Sequence, residues 1–366
     1  MTGKTNGKIL GLQALRGIAA LMVLIGHSLA EAEHYFSTTF PLKDLPWTRG
    51  VDLFFVISGF IIVVASYDGR NSVPPLVFLK RRFLRVVPLY WFYTSLMVAA
   101  LLVFPEGVKD TQLDIAQIVN SYVFIPYERY DGRVAPVLSL GWTLNYEIYF
   151  YVIFSALLAF GLRRAVLFLV LFFTAYSALG AVVDFDSTPL DFWSNALTLE
   201  FVFGALIGYT YLQRGRLAHR ASFAVSAGGV VLGFGLLIWL DALAAEGRLL
   251  ADAPRFLLAG GPAALIVGSA VLLLPERLDA RTPKLLTALG DSSYSLYLSH
   301  RFVLRPMTMI WQRVLPVSPA YAPIYVICAC VAALVAAYIA YLLIERRFLR
   351  LASRLRRRRE AALKID

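Results

Sequence analysis

The sequence predicts an all-α integral membrane protein: a polytopic bundle of about ten transmembrane helices with both termini in the cytoplasm. Three observations point there. Of its 366 residues, 59% are hydrophobic and 16% charged, with a mean hydropathy of +0.67, whereas soluble domains average roughly 45–50% apolar and about 25% charged residues. Apolar stretches long enough to span a bilayer, about 20 residues each, recur along the chain. Charge also divides unequally between alternate connecting segments. A water-soluble fold is excluded, and the spans leave no room for a large extramembrane domain.

A window of about 19 residues places the spans near 9–30, 51–66, 86–104, 137–160, 165–183, 194–212, 222–241, 256–274, 288–311 and 320–344. The first follows Lys4 and Lys8 and has a small-residue pattern at Ala30-Glu31-Ala32, as a cleaved signal peptide would. Arg16 and His27 interrupt its apolar run, so an uncleaved span is expected. The second stops before Pro74-Pro75 and the third at Pro105. A connecting loop from about 105 to 136, the longest, leads into the fourth and offers Tyr122, Tyr127 and Tyr130 for stacking on a sugar. Arg163 and Arg164 separate the fourth from the fifth, Pro189 precedes the sixth, and basic residues from Arg214 to Arg220 precede the seventh. Pro254, Pro275 and Pro316 mark the breaks around the last three. No internal repeat is visible. Cys328 and Cys330, two apart on a helix, point to different faces, so neither a disulfide nor a metal site is expected. Residues 1–347 form the membrane domain and 348–366 a basic cytoplasmic tail.

Orientation follows from the 35 Lys and Arg residues, because cytoplasmic flanks retain positive charge. Segments on the N-terminal side hold 24, the opposite side nine, and Arg16 and Arg301 lie within spans; the acidic residues divide as seven, fourteen and three, the last being Asp52, Glu147 and Glu200. Both ends of the chain are therefore expected inside the plasma (inner) membrane. The run Arg356 to Arg359 reads as an anchor facing anionic lipid rather than a nucleic-acid patch.

Ionisable groups in hydrocarbon are costly and mark functional sites. Arg16 and His27 are eleven residues apart, about three turns and about 16 Å, with side chains only about 20° apart around the axis. Asp52 opens the second span at nearly the depth of His27, and Glu147 lies a turn or two deeper on the fourth. A carboxylate beside an imidazole fixes its tautomer and stabilises the imidazolium, as a general base requires. Glu200, His300 and Arg301 fall between that layer and the midplane, and Glu200 with Arg301 could equally be a structural ion pair. Before the third span, FLKRRFLRVVPLYW sets Arg82 and Arg85 three apart on one helical face, two forks suited to phosphate. Lys80 and Arg81 need only the positive-inside tendency. A substrate with an anionic head and a long thin arm, such as an acyl coenzyme A, could enter at the cytoplasmic end and deliver its reactive end near His27.

At these residues the sequence resembles the acyltransferase-3 family of integral membrane O-acyltransferases, over about residues 8 to 347. The matching elements, in order, are Arg16 and His27, GVDLFFVISG from Gly50, the Arg82 and Arg85 pair, WTLNYE ending at Glu147, and LGDSSYSLYLSH from Leu289. The resemblance implies transfer of an acyl group, commonly acetyl, from a cytoplasmic thioester to a hydroxyl of a cell-surface or exported carbohydrate or another acceptor. It makes His27 the base, Arg16 a partner of the donor arm, and Arg82 and Arg85 ligands of the coenzyme A phosphates. Asp52 and Glu147 would orient His27 or the acceptor, and Tyr294, Tyr297 and His300 match the late motif as substrate-binding residues. Acyl-CoA is the donor, with acetyl-CoA the default; no metal is required, and the other partners are the hydroxyl acceptor and the lipid bilayer. Transfer directly to the acceptor is expected, with an acyl-serine at Ser58 the covalent alternative. A secondary transporter or flippase also has many spans and interior charges, a structural partner in envelope polysaccharide synthesis is a third reading, and a small secondary metabolite could replace the glycan.

Overall fold

The computed structural model describes residues 9–69, 71–105, 108, 112–214, 223–246 and 253–351. Lys4, Lys8, most of the 214–220 connection, part of the 105–136 loop and the tail from 352 onward, including Arg356 to Arg359, lie outside the described residues. The helices are α1 (Leu10–Phe36), α2 (Gly50–Ala65), α3 (Pro75–Val103), α4 (Ile115–Val123), α5 (Trp142–Leu158), α6 (Leu162–Gly180), α7 (Thr188–Ser194), α8 (Thr198–Arg214) and α9 (Phe223–Ala245). Next come α10 (Gly261–Gly268), extended by π turns into one helix over Phe256–Leu273, then α11 (Glu276–Asp279), α12 (Lys284–Val314) and α13 (Ala322–Ala340). Among the described residues there is no strand, only the isolated bridges Tyr67 to Ser72 and Glu128 to Val134.

A helix stands at each of the ten apolar stretches. Seven are long and apolar enough to cross a membrane, or eight when α7 and α8, bent by 43° at their break, are one span. The other two, α5 and α12, differ for a physical reason. The first has 17 residues, and the second carries Asp291, His300, Arg301 and Arg305 along its 31. Both turn their polar residues inward, as the cavities described below show, so neither needs a uniformly apolar surface. Two boundaries also move. Arg82 and Arg85 lie not in a loop but on α3, which starts at Pro75 and runs unbroken past Pro88, because charge at a helix end does not stop a helix as proline at its first position begins one. Helix α1 runs through Ala30-Glu31-Ala32 to Phe36, with Ala32 fully buried.

Glycine lets the inner helices touch. A Cβ on Gly204 of α8 would overlap the carbonyl oxygen of Val56 on α2, and one on Gly59 would overlap that of Phe201; small residues at such crossings let backbones approach. Around this contact Phe55, Phe201, Phe150 and Phe173 stack in series at ring separations of 4.7, 4.8 and 5.2 Å, tying α2, α8, α5 and α6 together. Helix α12 lies between α1 and α13, packing Leu296 and Leu304 with Leu24 of α1 and Ala329 of α13 in one buried cluster. Helices α1, α2, α3, α5 and α12 supply the walls of the site described below.

Candidate active site

Two cavities, each of about 530 Å³, lie along α1 and α12. Arg16 lines the first, and His27, about 16 Å farther along α1, lines the second. This is the same-face placement that their spacing predicts.

The first chamber collects three guanidinium groups. Arg16 donates from Nη1 to Gln13 Oε1 at 3.1 Å. Arg82, its guanidinium carbon 5.8 Å from the centre of the Phe78 ring, has a buried Nε with no hydrogen-bond partner. Arg85 Nη2 is 3.7 Å from Glu345 Oε1, while Ser295 Oγ donates to Glu345 Oε2 at 2.6 Å. Opposite them Glu147 Oε1 accepts from Ser58 Oγ at 2.8 Å and from Tyr151 Oη. Tyr294 Oη donates to the Val86 carbonyl at 2.8 Å. Arg82 also meets the Tyr151 hydroxyl, and Glu147 and Asp291 share the lining with the three arginines; a buried guanidinium nitrogen without an acceptor is costly, and forked guanidinium groups suit the oxygens of phosphates.

The second chamber opens at His27. His300 Nδ1 lies 3.0 Å from the Leu296 carbonyl and so donates to it, which leaves Nε2 of the neutral ring as an acceptor. His27 Nδ1 is 3.2 Å from that nitrogen and 3.0 Å from the Val23 carbonyl. Both neighbours accept, so Nδ1 carries the proton and the His27 Nε2 lone pair is left for chemistry. Tyr297, one turn before His300, lines the first chamber. Its hydroxyl donates to the Leu140 carbonyl at 2.9 Å and lies 3.0 Å from Thr143 Oγ1, and its ring meets Phe54 edge to face at 5.9 Å and lies 6.4 Å from the His300 ring.

The expected layer of His27, Asp52 and Glu147 is not formed. Asp52 is clamped by Arg255, Nε to Oδ1 and Nη2 to Oδ2 both at 2.8 Å, with Glu200 beside it; an uncompensated buried carboxylate takes the available guanidinium before an imidazole. Glu147 belongs to the first chamber, and a second imidazole with a backbone carbonyl occupies the place expected for a carboxylate at His27. Glu200 joins Asp52 rather than Arg301, whose Nη1 is 3.4 Å from Ser139 Oγ. Sequence reasoning missed Arg255 and Glu345. The signal for Arg255 was Asp52 itself, a buried acid that demands a cation. In the loop, Tyr122 Oη lies 2.6 Å from Ser95 Oγ, Tyr127 donates to Asp114 at 2.8 Å, and Tyr130, 62% exposed, has the Arg129 guanidinium 5.7 Å from its ring centre. Among the described residues no group of three or more His, Cys, Asp or Glu could hold a metal ion.

The family model described as an acyltransferase domain matches residues 9–342. The chain is 34% identical over 288 residues to the exopolysaccharide production protein ExoZ of Rhizobium meliloti, covering 77% of this chain and 81% of that one. It is 26% identical over 317 residues to the O-acetyltransferase OatA of Staphylococcus aureus, covering 79% of this chain and 49% of OatA, about half its length. Over 92 residues it is 38% identical to protein 2 in the picA locus of Rhizobium radiobacter, which covers 24% of this chain and 43% of that protein. No solved structure matches it.

Proposed function

The chain belongs to the acyltransferase-3 family, and from that premise we propose that this integral membrane protein moves an acetyl group from cytoplasmic acetyl-CoA to a hydroxyl of an exported or cell-surface polysaccharide. The supporting relatives are the exopolysaccharide production protein and the O-acetyltransferase described above. The observation that carries the reading is the arrangement along α1: guanidinium groups around Arg16 in one chamber, the His27 lone pair in the next, and Tyr297 of the first chamber beside His300, the neighbour of His27. The bundle has ten spans, counting α5 and the charged α12 and joining α7 with α8, and sits in the plasma membrane with both ends inside.

Arg82 and Arg85 hold the donor's phosphates, Arg16 lies beside its arm, and Tyr297 swings aside as the arm passes. His27 Nε2 takes the proton from the acceptor hydroxyl while that oxygen attacks the thioester carbonyl carbon. The carbon–sulfur bond then breaks, the acyl group stays on the acceptor oxygen, and the departing thiolate takes the proton back from His27. During this cycle His300 Nε2 and the Val23 carbonyl stabilise the imidazolium through Nδ1. Glu147 fixes Ser58 and Tyr151 on the donor side, and Asp52 holds Arg255.

The test is transfer of radiolabelled acetyl from acetyl-CoA to polysaccharide by the purified protein in vesicles, with envelope glycans of a deletion strain analysed for ester-linked acetyl. Label in glycan with wild type and none with a well-folded His27→Ala variant is expected. Uptake of a labelled solute without transfer would instead identify a carrier, and label trapped on denatured protein would replace direct transfer by an acyl-enzyme.

A further inference from the structure

The second chamber holds more positive charge than acyl transfer uses. Arg301, Arg305 and Arg313 line it, against one lining carboxylate, Glu31. All three arginines come from α12, spaced by four and then eight residues, so they are strung along about 18 Å of helix beginning one residue after His300. In the proposed orientation this is the outer half of the helix, where the positive-inside tendency supplies no reason for basic residues. Arg305 is held in position: its guanidinium lies 5.4 Å over the Tyr35 ring and donates to Tyr35 Oη. Glu31 accepts from Thr308 Oγ1 at 3.1 Å. The wall supplied by α3 and its C-terminal end, Met97, Ala100 and Phe104, is apolar, and Phe104 there and Ile310 on α12 are 46% and 61% exposed, so the chamber borders the apolar outer surface of the bundle.

We infer that this chamber binds an acceptor carrying an anionic group, with its reacting hydroxyl against His27 and the anion held by Arg305 between Arg301 and Arg313. Guanidinium forks recognise carboxylate and phosphate through paired hydrogen bonds. Two sources supply that chemistry: an acidic sugar, or the phosphate through which a sugar is tethered to a membrane lipid. The inference rests on the acyl-transfer reading, which seats the acceptor hydroxyl at His27.

The experiment is equilibrium binding to the full-length protein in phosphatidylcholine nanodiscs. The probes are a glucuronate-ended oligosaccharide, its neutral methyl ester, and a polyprenyl-diphosphate-linked sugar, with acetyl transfer measured in parallel. At least one anionic probe should bind tenfold or more tighter than the ester, and the tighter of the two identifies the source. Arg305→Gln and Arg313→Gln should each remove most of that preference and Arg305→Lys part of it. Glu31→Gln should tighten anion binding, a gain that a misfolded protein cannot produce. Equal binding of charged and neutral probes, or a preference untouched by Arg305→Gln, overturns the inference while leaving transfer to the neutral ester intact. Anion-selective binding without transfer to any probe keeps the site and removes the transferase reading.

Discussion

His27 Nδ1 is shared between the Val23 carbonyl and His300 Nε2, so the two histidines should differ in cost. His27→Ala removes the base and should lower kcat by about 10²–10⁴-fold. His300→Ala removes one hydrogen bond of about 1.5 kcal/mol and should lower it about tenfold; equal losses in steady-state kinetics would contradict their separate roles. Arg82→Ala and Arg85→Ala should each raise KM for acetyl-CoA by about tenfold or more, the loss of one charge-assisted hydrogen bond of about 1.5–3 kcal/mol, with the acceptor KM unchanged. Asp52 is fully buried and Arg255 a third exposed, so Asp52→Ala should cost about 2 kcal/mol of stability, below the usual range for a fully buried pair. The pH dependence of transfer should keep its shape, since Asp52 does not touch His27. The alignment of Arg16 with His27 was legible in the sequence because helical periodicity is a local property. The Asp52 to Arg255 pair, separated by 203 residues, was not, because only the packing of the helix beginning at Phe256 against α2 brings its partners together.

The crossing of α2 with α8 depends on glycine, whereas Gly228 on α9 has nothing within 4 Å of where a Cβ would stand. Gly204→Ala should therefore destabilise the protein by about 1–3 kcal/mol through overpacking, with Gly228→Ala neutral or slightly stabilising by helix propensity; thermal unfolding in detergent compares them. In the connecting loop, Asp114 caps α4 through the backbone N–H groups of Ala116 and Gln117 and accepts from Tyr127 Oη. Hydrogen bonding from Tyr127 first, and then from the backbone, holds the Asp114 carboxyl below the usual carboxylate range. Because the folded value is depressed, this contribution to loop stability is complete above the unfolded aspartate value and fades as pH falls through the folded one. Limited proteolysis of the 112–136 segment should accelerate over that acidic window, and Tyr127→Phe should move its onset to higher pH. Helix positions were legible from apolar stretches and proline breaks. The start of α3 was not, since the basic residues Lys80, Arg81, Arg82 and Arg85 interrupt the apolar run just after its first turn, and the polar lining of α5 and α12 blurs their spanning character for the same reason.

Across the molecule, the sequence set Arg82 and Arg85 at one end of the bundle and His27 near the other, but it could not reveal that they line two separate cavities or that the cavity at His27 is lined by further arginines, since both depend on how α12 rotates against its neighbours. In a background lacking Cys328 and Cys330, single cysteines at Asp184 and Ala320 should react with an impermeant maleimide from outside intact cells, and one at Arg163 should not; the reverse pattern would invert the proposed orientation. The most direct measurement is a structure of the protein with a non-transferable thioether analogue of acetyl-CoA. The phosphates should lie on Arg82 and Arg85, the arm should pass Arg16 with Tyr297 displaced from the Leu140 carbonyl, and the acyl carbonyl should stand beside His27 Nε2. An analogue bound with its phosphates in the His27 chamber, or ending behind an unmoved Tyr297, would contradict transfer along this path.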